Sequence, residues 1–266
     1  MNLFSGAKAL LAMIHVGALP GTPRATRPLS EVVAQTVDEA RIFTDAGVDG
    51  LLIENMHDVP YLCGSVGPEI VAAMTAVGVA VRAASPLPLG VQILAAANRE
   101  ALAVAHACGA GFVRVENFAF AHVADEGLMP TADAGPLLRY RRQIGADAVR
   151  ILTDVKKKHS SHAITADISL DEAASAAEFF GADGVIVTGS ATGRPTSPED
   201  VAAVRQAVKC SVCVGSGVTP QTLPALWPHA DVFIVGSYLK QAGVWSNPVD
   251  PARVGHLVDA AAALRR

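Results

Sequence analysis

The chain has 266 residues, 51% of them apolar and 17% charged, with a net charge of −4 and a pI near 6.0. That is ample chain for one large core, and so high an apolar share is what strands covered on both faces produce. The acidic balance argues against a nucleic-acid partner, and no run approaches the roughly 20 apolar residues that span a bilayer, so membrane insertion is not expected.

The first segment, "MNLFSGAKALLAMIHVGALPG", faintly imitates a signal peptide, but its short apolar run is broken by His15 and continues into a loop. It reads as a first strand near 9–16 of a cytoplasmic protein. Further strands are expected near 50–55, 89–94, 111–117, 148–155, 183–188, 210–215 and 231–236. Five of them open on one pattern, seen in "AGVDGLLIEN", "CGAGFVRVEN", "IGADAVRILT", "FGADGVIVTG" and "PHADVFIVGS". A helix ends, usually at glycine, and a small or acidic residue precedes a β-prone run. Gly109, Gly145 and Gly181 recur every 36 residues, the length of a strand-plus-helix crossover. Helix starts are signalled by Ser30, Asn98, the capping box Ser169–Glu172, and the pairs Ser197-Pro198, Thr219-Pro220 and Asp250-Pro251.

Eight alternating strands and helices predict a single (β/α)8 barrel domain over residues 1–266, with a doubly wound open sheet as the alternative. Residues 118–135 lack periodicity and read as a mobile loop over the active face. Cys63, Cys108, Cys210 and Cys213 suggest no disulfide framework. Cys210 and Cys213, three apart on a strand, point to opposite faces and read as buried thiols.

Function in such barrels sits at the C-terminal strand ends. His15 ends the first strand, and Glu54 and Glu116 end the second and fourth in the same Glu-Asn pair. Two carboxylates at one level can divide into acid and base, can bind a divalent metal, or can pair with Arg114 as scaffolding. The fifth strand ends "TDVKKKH", where Asp154 is the strongest functional candidate. Lys156 shares its side if the strand persists, and a desolvated lysine there acts as a base or forms a Schiff base. A triple lysine run also fits a solvated loop. His57, His159 and His162 project toward the same face without a metal-binding spacing.

The last three strands end in Gly-Ser: Gly189-Ser190, Gly215-Ser216-Gly217 and Gly236-Ser237. Glycine lets backbone N–H groups approach an anion closely, and a following helix N-terminus adds partial positive charge. A lone Gly-Ser is a tight turn, whereas two on adjacent strands with a third beside them predict a phosphate cup. Gly193 and Arg194 would extend it.

Together, "MIHVGALPGTP", "GVDGLLIENMHDVPY", "RVEN", "ILTDVKKKHSSHAI", "GADGVIVTGSATGRPTSPEDV", "VGSGVTPQTL" and "ADVFIVGSYLK" resemble the BtpA family, also represented by SgcQ-type proteins. The resemblance covers nearly the whole chain in order. It implies a barrel of the ribulose-phosphate-binding type and carries no catalytic residue set. Family members serve photosystem I accumulation or sit among sugar-metabolism genes. Two expectations follow. One is an enzyme acting on a phosphorylated sugar or similar small phosphorylated metabolite, by isomerase, epimerase, lyase or glycosidic-cleavage chemistry. It requires no cofactor and is compatible with a divalent metal. The other is a non-catalytic assembly or stability factor for a membrane complex of the photosystem I type. Either is compatible with a homo-oligomer, since such barrels often associate through helical faces.

Overall fold

The computed structural model describes residues 8–189 and 195–266. Eight strands form a closed parallel barrel: β1 (Ala9–His15), β2 (Gly50–Glu54), β3 (Leu89–Gln92), β4 (Phe112–Val115), β5 (Arg150–Asp154), β6 (Gly184–Val187), β7 (Ser211–Val214) and β8 (Val232–Val235). They lie in sequence order around the barrel, and β1 closes it by pairing with β8 in parallel. Helices α1 (Leu29–Ala46), α2 (Pro68–Ala84), α3 (Asn98–Cys108), α4 (Ala134–Gln143), α5 (Leu170–Phe179), α6 (Pro198–Ala207), α7 (Leu223–Leu226) and α8 (Pro251–Leu264) form the crossovers and the return. Among the described residues, no helix is long and apolar enough to cross a membrane.

The acidic residue in the repeated strand openings has a common task. Asp49, Asp183 and Asp231 each accept the backbone N–H of a residue on the neighbouring strand, from Leu10, Ile151 and Val212 respectively. Each also takes an arginine: Arg265, Arg150 and Arg205. These contacts tie neighbouring strands at the end opposite the mouth. Helices α1 and α3 end on Gly47 and Gly109 in the left-handed conformation, which costs glycine little.

Side chains alternate along each strand, so one set faces the helices and the other fills the barrel. Leu11, Met13, Leu52, Phe112, Leu152, Ile186, Cys213, Val232 and Ile234 make the inner cluster. A Cβ on Gly90 would lie 2.1 Å from the Phe112 ring, so this glycine makes room for the largest inner side chain. Continuing the same alternation upward changes the chemistry. Above Met13 comes His15, above Leu52 comes Glu54, above Phe112 comes Arg114, and above Leu152 comes Asp154. The apolar floor and the polar mouth are one pleat read in two layers.

Several local expectations change. Ser169, Ser197 and Asp250 cap their helices as the sequence indicates. Ser30 and Asn98 instead lie inside α1 and α3, and Thr219 precedes a short α7 that starts only at Leu223. The side chain of Asn98 bonds the backbone of Glu116 in both directions, a tertiary use that removes it from capping. Residues 118–135 are not simply irregular. His122–Ala124 and Gly127–Met129 form a hairpin that also pairs with Ser160–Ser161 beyond β5. Cys213 is buried inside the barrel as expected, whereas Cys210 lies just before β7 and is only half-buried.

Candidate active site

At the C-terminal strand ends lies a cavity of about 410 Å³. Its charged wall begins with His15, whose Nδ1 sits 2.9 Å from the Trp245 carbonyl. A carbonyl only accepts, so Nδ1 carries the proton and Nε2 keeps its lone pair toward Glu54, 3.9 Å away. Burial, with Lys240 next, pushes the imidazole pKa down to about 3, so it is neutral. Burial pushes the Glu54 carboxyl upward, opposed by Arg114 and Lys158. Glu54 makes no hydrogen bond among the described residues and is therefore free to act on a ligand.

Two buried ion pairs frame it. Arg114 holds Asp154 with two hydrogen bonds, Nε to Oδ2 at 2.8 Å and Nη2 to Oδ1 at 2.9 Å. Lys157 reaches Glu116 at 3.1 Å and Glu126, in the hairpin turn, at 3.8 Å. The Ala96 N–H donates to the other Glu116 oxygen at 3.1 Å. Burial raises the Glu116 pKa against the pull of Lys157. Gln92 ends β3 in the same wall, and its Oε1 is buried with no partner among the described residues.

The opposite wall is backbone. Gly215, Ser216, Gly217, Gly236 and Ser237 line the cavity with Thr219 and Tyr238. Arg253, from the first turn of α8, joins them. Its guanidinium lies 4.3 Å over the Tyr238 ring, and its Nε donates to the Tyr238 carbonyl at 2.6 Å. The guanidinium is thereby held over a glycine-lined recess, as anion binding requires.

The sequence matches the BtpA family over residues 6–263. An uncharacterised mitochondrial protein of Caenorhabditis elegans is 45% identical over 99% of this chain and 96% of its own. The photosystem I biogenesis protein BtpA of Synechocystis is 33% identical over 97% of this chain and 90% of its own. This chain belongs to the BtpA family. Among solved structures, a 3-hexulose-6-phosphate synthase superposes with a TM-score of 0.59, covering 95% of this chain and 99% of the other at 18% identity. That likeness concerns the fold alone, and it agrees with the closed strand order that makes this BtpA-family member a (β/α)8 barrel.

Of the residues singled out in the sequence, His15, Glu54, Glu116 and Asp154 meet in the cavity, as do Gly215, Ser216, Gly217, Gly236 and Ser237. Gly189 ends the described part of its strand end without lining the cavity, and Ser190, Gly193 and Arg194 lie outside the described residues. Lys156 is not brought to the site. The strand stops at Asp154, Lys156 turns to φ 43°, and its Nζ donates to the Thr165 carbonyl at 3.0 Å. Lys157 and Lys158 line the cavity instead, so the lysine run is not a solvated loop. Arg114 pairs with Asp154 rather than with either glutamate. His57 borders a neighbouring recess, and His159 sits at the rim, 3.6 Å from Asp125. Gln92, Glu126, Trp245 and Arg253 were missed; only the place of Gln92 at a strand end gave a signal.

Proposed function

We propose that the chain is an enzyme acting on a phosphorylated sugar or a similarly small phosphorylated metabolite. One observation carries the reading: a single cavity joins a glycine-lined recess under Arg253 to a wall holding an uncommitted, buried Glu54. Its volume suits a small metabolite. The Gly215 N–H donates to the Val187 carbonyl, 2.9 Å away, so the phosphate binds the backbone N–H groups of Gly217, Gly236 and Ser237, with Arg253 supplying charge. Glu54, protonated more readily than an exposed carboxyl, gives or takes a proton at the reacting carbon or oxygen. Arg114, fixed by Asp154, stabilises negative charge developing on oxygen. Isomerisation, epimerisation and lyase cleavage all draw on these parts.

A thermal-shift screen with inorganic phosphate, pentose and hexose phosphates and unphosphorylated sugars, each with and without a divalent metal, tests the recess. Saturation at a hundredfold over Kd stabilises by roughly 2.7 kcal/mol. Phosphorylated ligands alone should raise Tm, and the bound sugar phosphate should exchange a carbon-bound proton in D2O. Glu54→Gln should keep the thermal shift and lose the exchange. Equal shifts from unphosphorylated sugars, or none from any phosphate, would sink the reading.

The name of the Synechocystis relative supports a second reading, a role in assembling a membrane complex. The animal relative, at higher identity, speaks against a photosystem as the shared task. Retention of an assembly role by Glu54→Gln would favour it.

A further inference from the structure

Three cationic side chains on the charged wall have unequal situations. Arg114 is clasped by Asp154, and Lys157 by Glu116. Lys158 lines the same cavity, yet its Nζ meets no hydrogen-bonding or ionic partner among the described residues. Its backbone is anchored, since its N–H donates to Thr188 Oγ1 at the end of β6, 3.2 Å away. A half-buried lysine serving only the fold would take a carboxylate, as Lys157 does. Burial and then Arg114 push the ammonium pKa down, against the carboxylates of Glu54, Asp154 and Glu116. The ammonium facing the cavity thus gives up its proton more readily than an exposed lysine does.

We propose that Lys158 is an imine-forming residue, whose ε-amine condenses with the carbonyl carbon of a phosphorylated aldehyde or ketone held in the cavity. This deepens the enzyme reading above and rests on it. The nitrogen lone pair forms the C–N bond while the carbonyl π electrons move to oxygen. Glu54, on the same wall and electrostatically coupled to Lys158, supplies a proton to that oxygen and relays one from nitrogen to it. The C–O bond then breaks and water leaves. In sum, amine, carbonyl and the Glu54 acid give a protonated imine, water and the Glu54 carboxylate. The iminium draws electrons from a neighbouring C–H or C–C bond, so no external oxidant or reductant enters. Hydrolysis by water returns the amine.

The test incubates the full chain with dihydroxyacetone phosphate or glyceraldehyde 3-phosphate, adds sodium borohydride, and maps the reduced adduct by mass spectrometry. One adduct per chain at Lys158 is expected. It should fall at least about tenfold in Lys158→Met and Lys158→Arg and persist in Lys156→Met, whose side chain lies outside the cavity. Lys158→Arg keeps the charge, so stabilisation by inorganic phosphate should survive in it and verify folding. If phosphate stabilises the wild type but borohydride fixes no label at Lys158, or labels only surface lysines, the imine is overturned and the phosphate recess stands. If phosphate also fails to stabilise the wild type, both readings fall.

Discussion

On the side of β2, β4 and β5 the mouth is walled by long charged side chains, whereas on the side of β7 and β8 it is walled by glycine and serine backbone. The charged half holds Arg114, Asp154, Lys157 and Glu116 through mutual pairing and leaves Glu54 and Lys158 to the cavity. The backbone half works through what it lacks. A Cβ on Gly215 would lie 2.7 Å from Ile186 and 3.5 Å from the Arg114 guanidinium, and one on Gly236 would lie 2.9 Å from His15 Nε2. These two glycines thus leave space for the charged half. Neither half can be altered without disturbing the other.

The sharpest way to break this arrangement is Arg114→Leu, which strands Asp154 as an uncompensated buried charge. Removing one member of a buried pair costs about 3–5 kcal/mol, readable by urea unfolding. Arg114→Leu combined with Asp154→Leu should recover much of it. Acid comes next. His15 has a folded pKa near 3 against 6.5 for an ordinary histidine. Between those values the unfolded chain binds the proton and the folded chain does not, so stability falls as pH drops. At pH 4.5 this term is roughly 2–3 kcal/mol. Glu54 and Glu116, raised by burial, act in the opposite sense, so the term is read as the difference between wild type and His15→Asn across the pH range. Gly236→Ala should cost about 1–3 kcal/mol by crowding His15, with a matching rise in the His15 pKa by NMR as the ring is displaced. The smallest stability effect belongs to Arg253→Gln. It should weaken phosphate binding by about tenfold while unfolding changes by less than about 1 kcal/mol.

The architecture was legible because five of the eight barrel strands carry the same opening punctuation. The strands near 50–55 and 183–188 are opened by Asp49 and Asp183, and the structure uses those carboxylates to join neighbours. The hairpin over the mouth was not legible, since strands of three residues leave no measurable alternation. The choice among the lysines failed for a related reason. Alternation from Asp154 selects Lys156, but alternation holds only while the strand lasts, and β5 ends at Asp154. Arg253 was hidden because it belongs by sequence to α8 and by position to the loop after β8. Periodicity reads one element at a time, and these groups come from where two elements meet.

The chain has two tryptophans, and the barrel separates them. Trp227 stacks on Phe233, 5.1 Å between ring centroids, close to the start of β8 and away from the mouth. Trp245 lines the cavity, edge-on to His15 and 4.9 Å from the His57 ring. The molecule therefore carries an optical reporter inside its own site. In a Trp227→Phe background, with excitation selective for indole, tryptophan emission on titrating a ligand reports on Trp245 alone, and occupancy can be followed before any product is known.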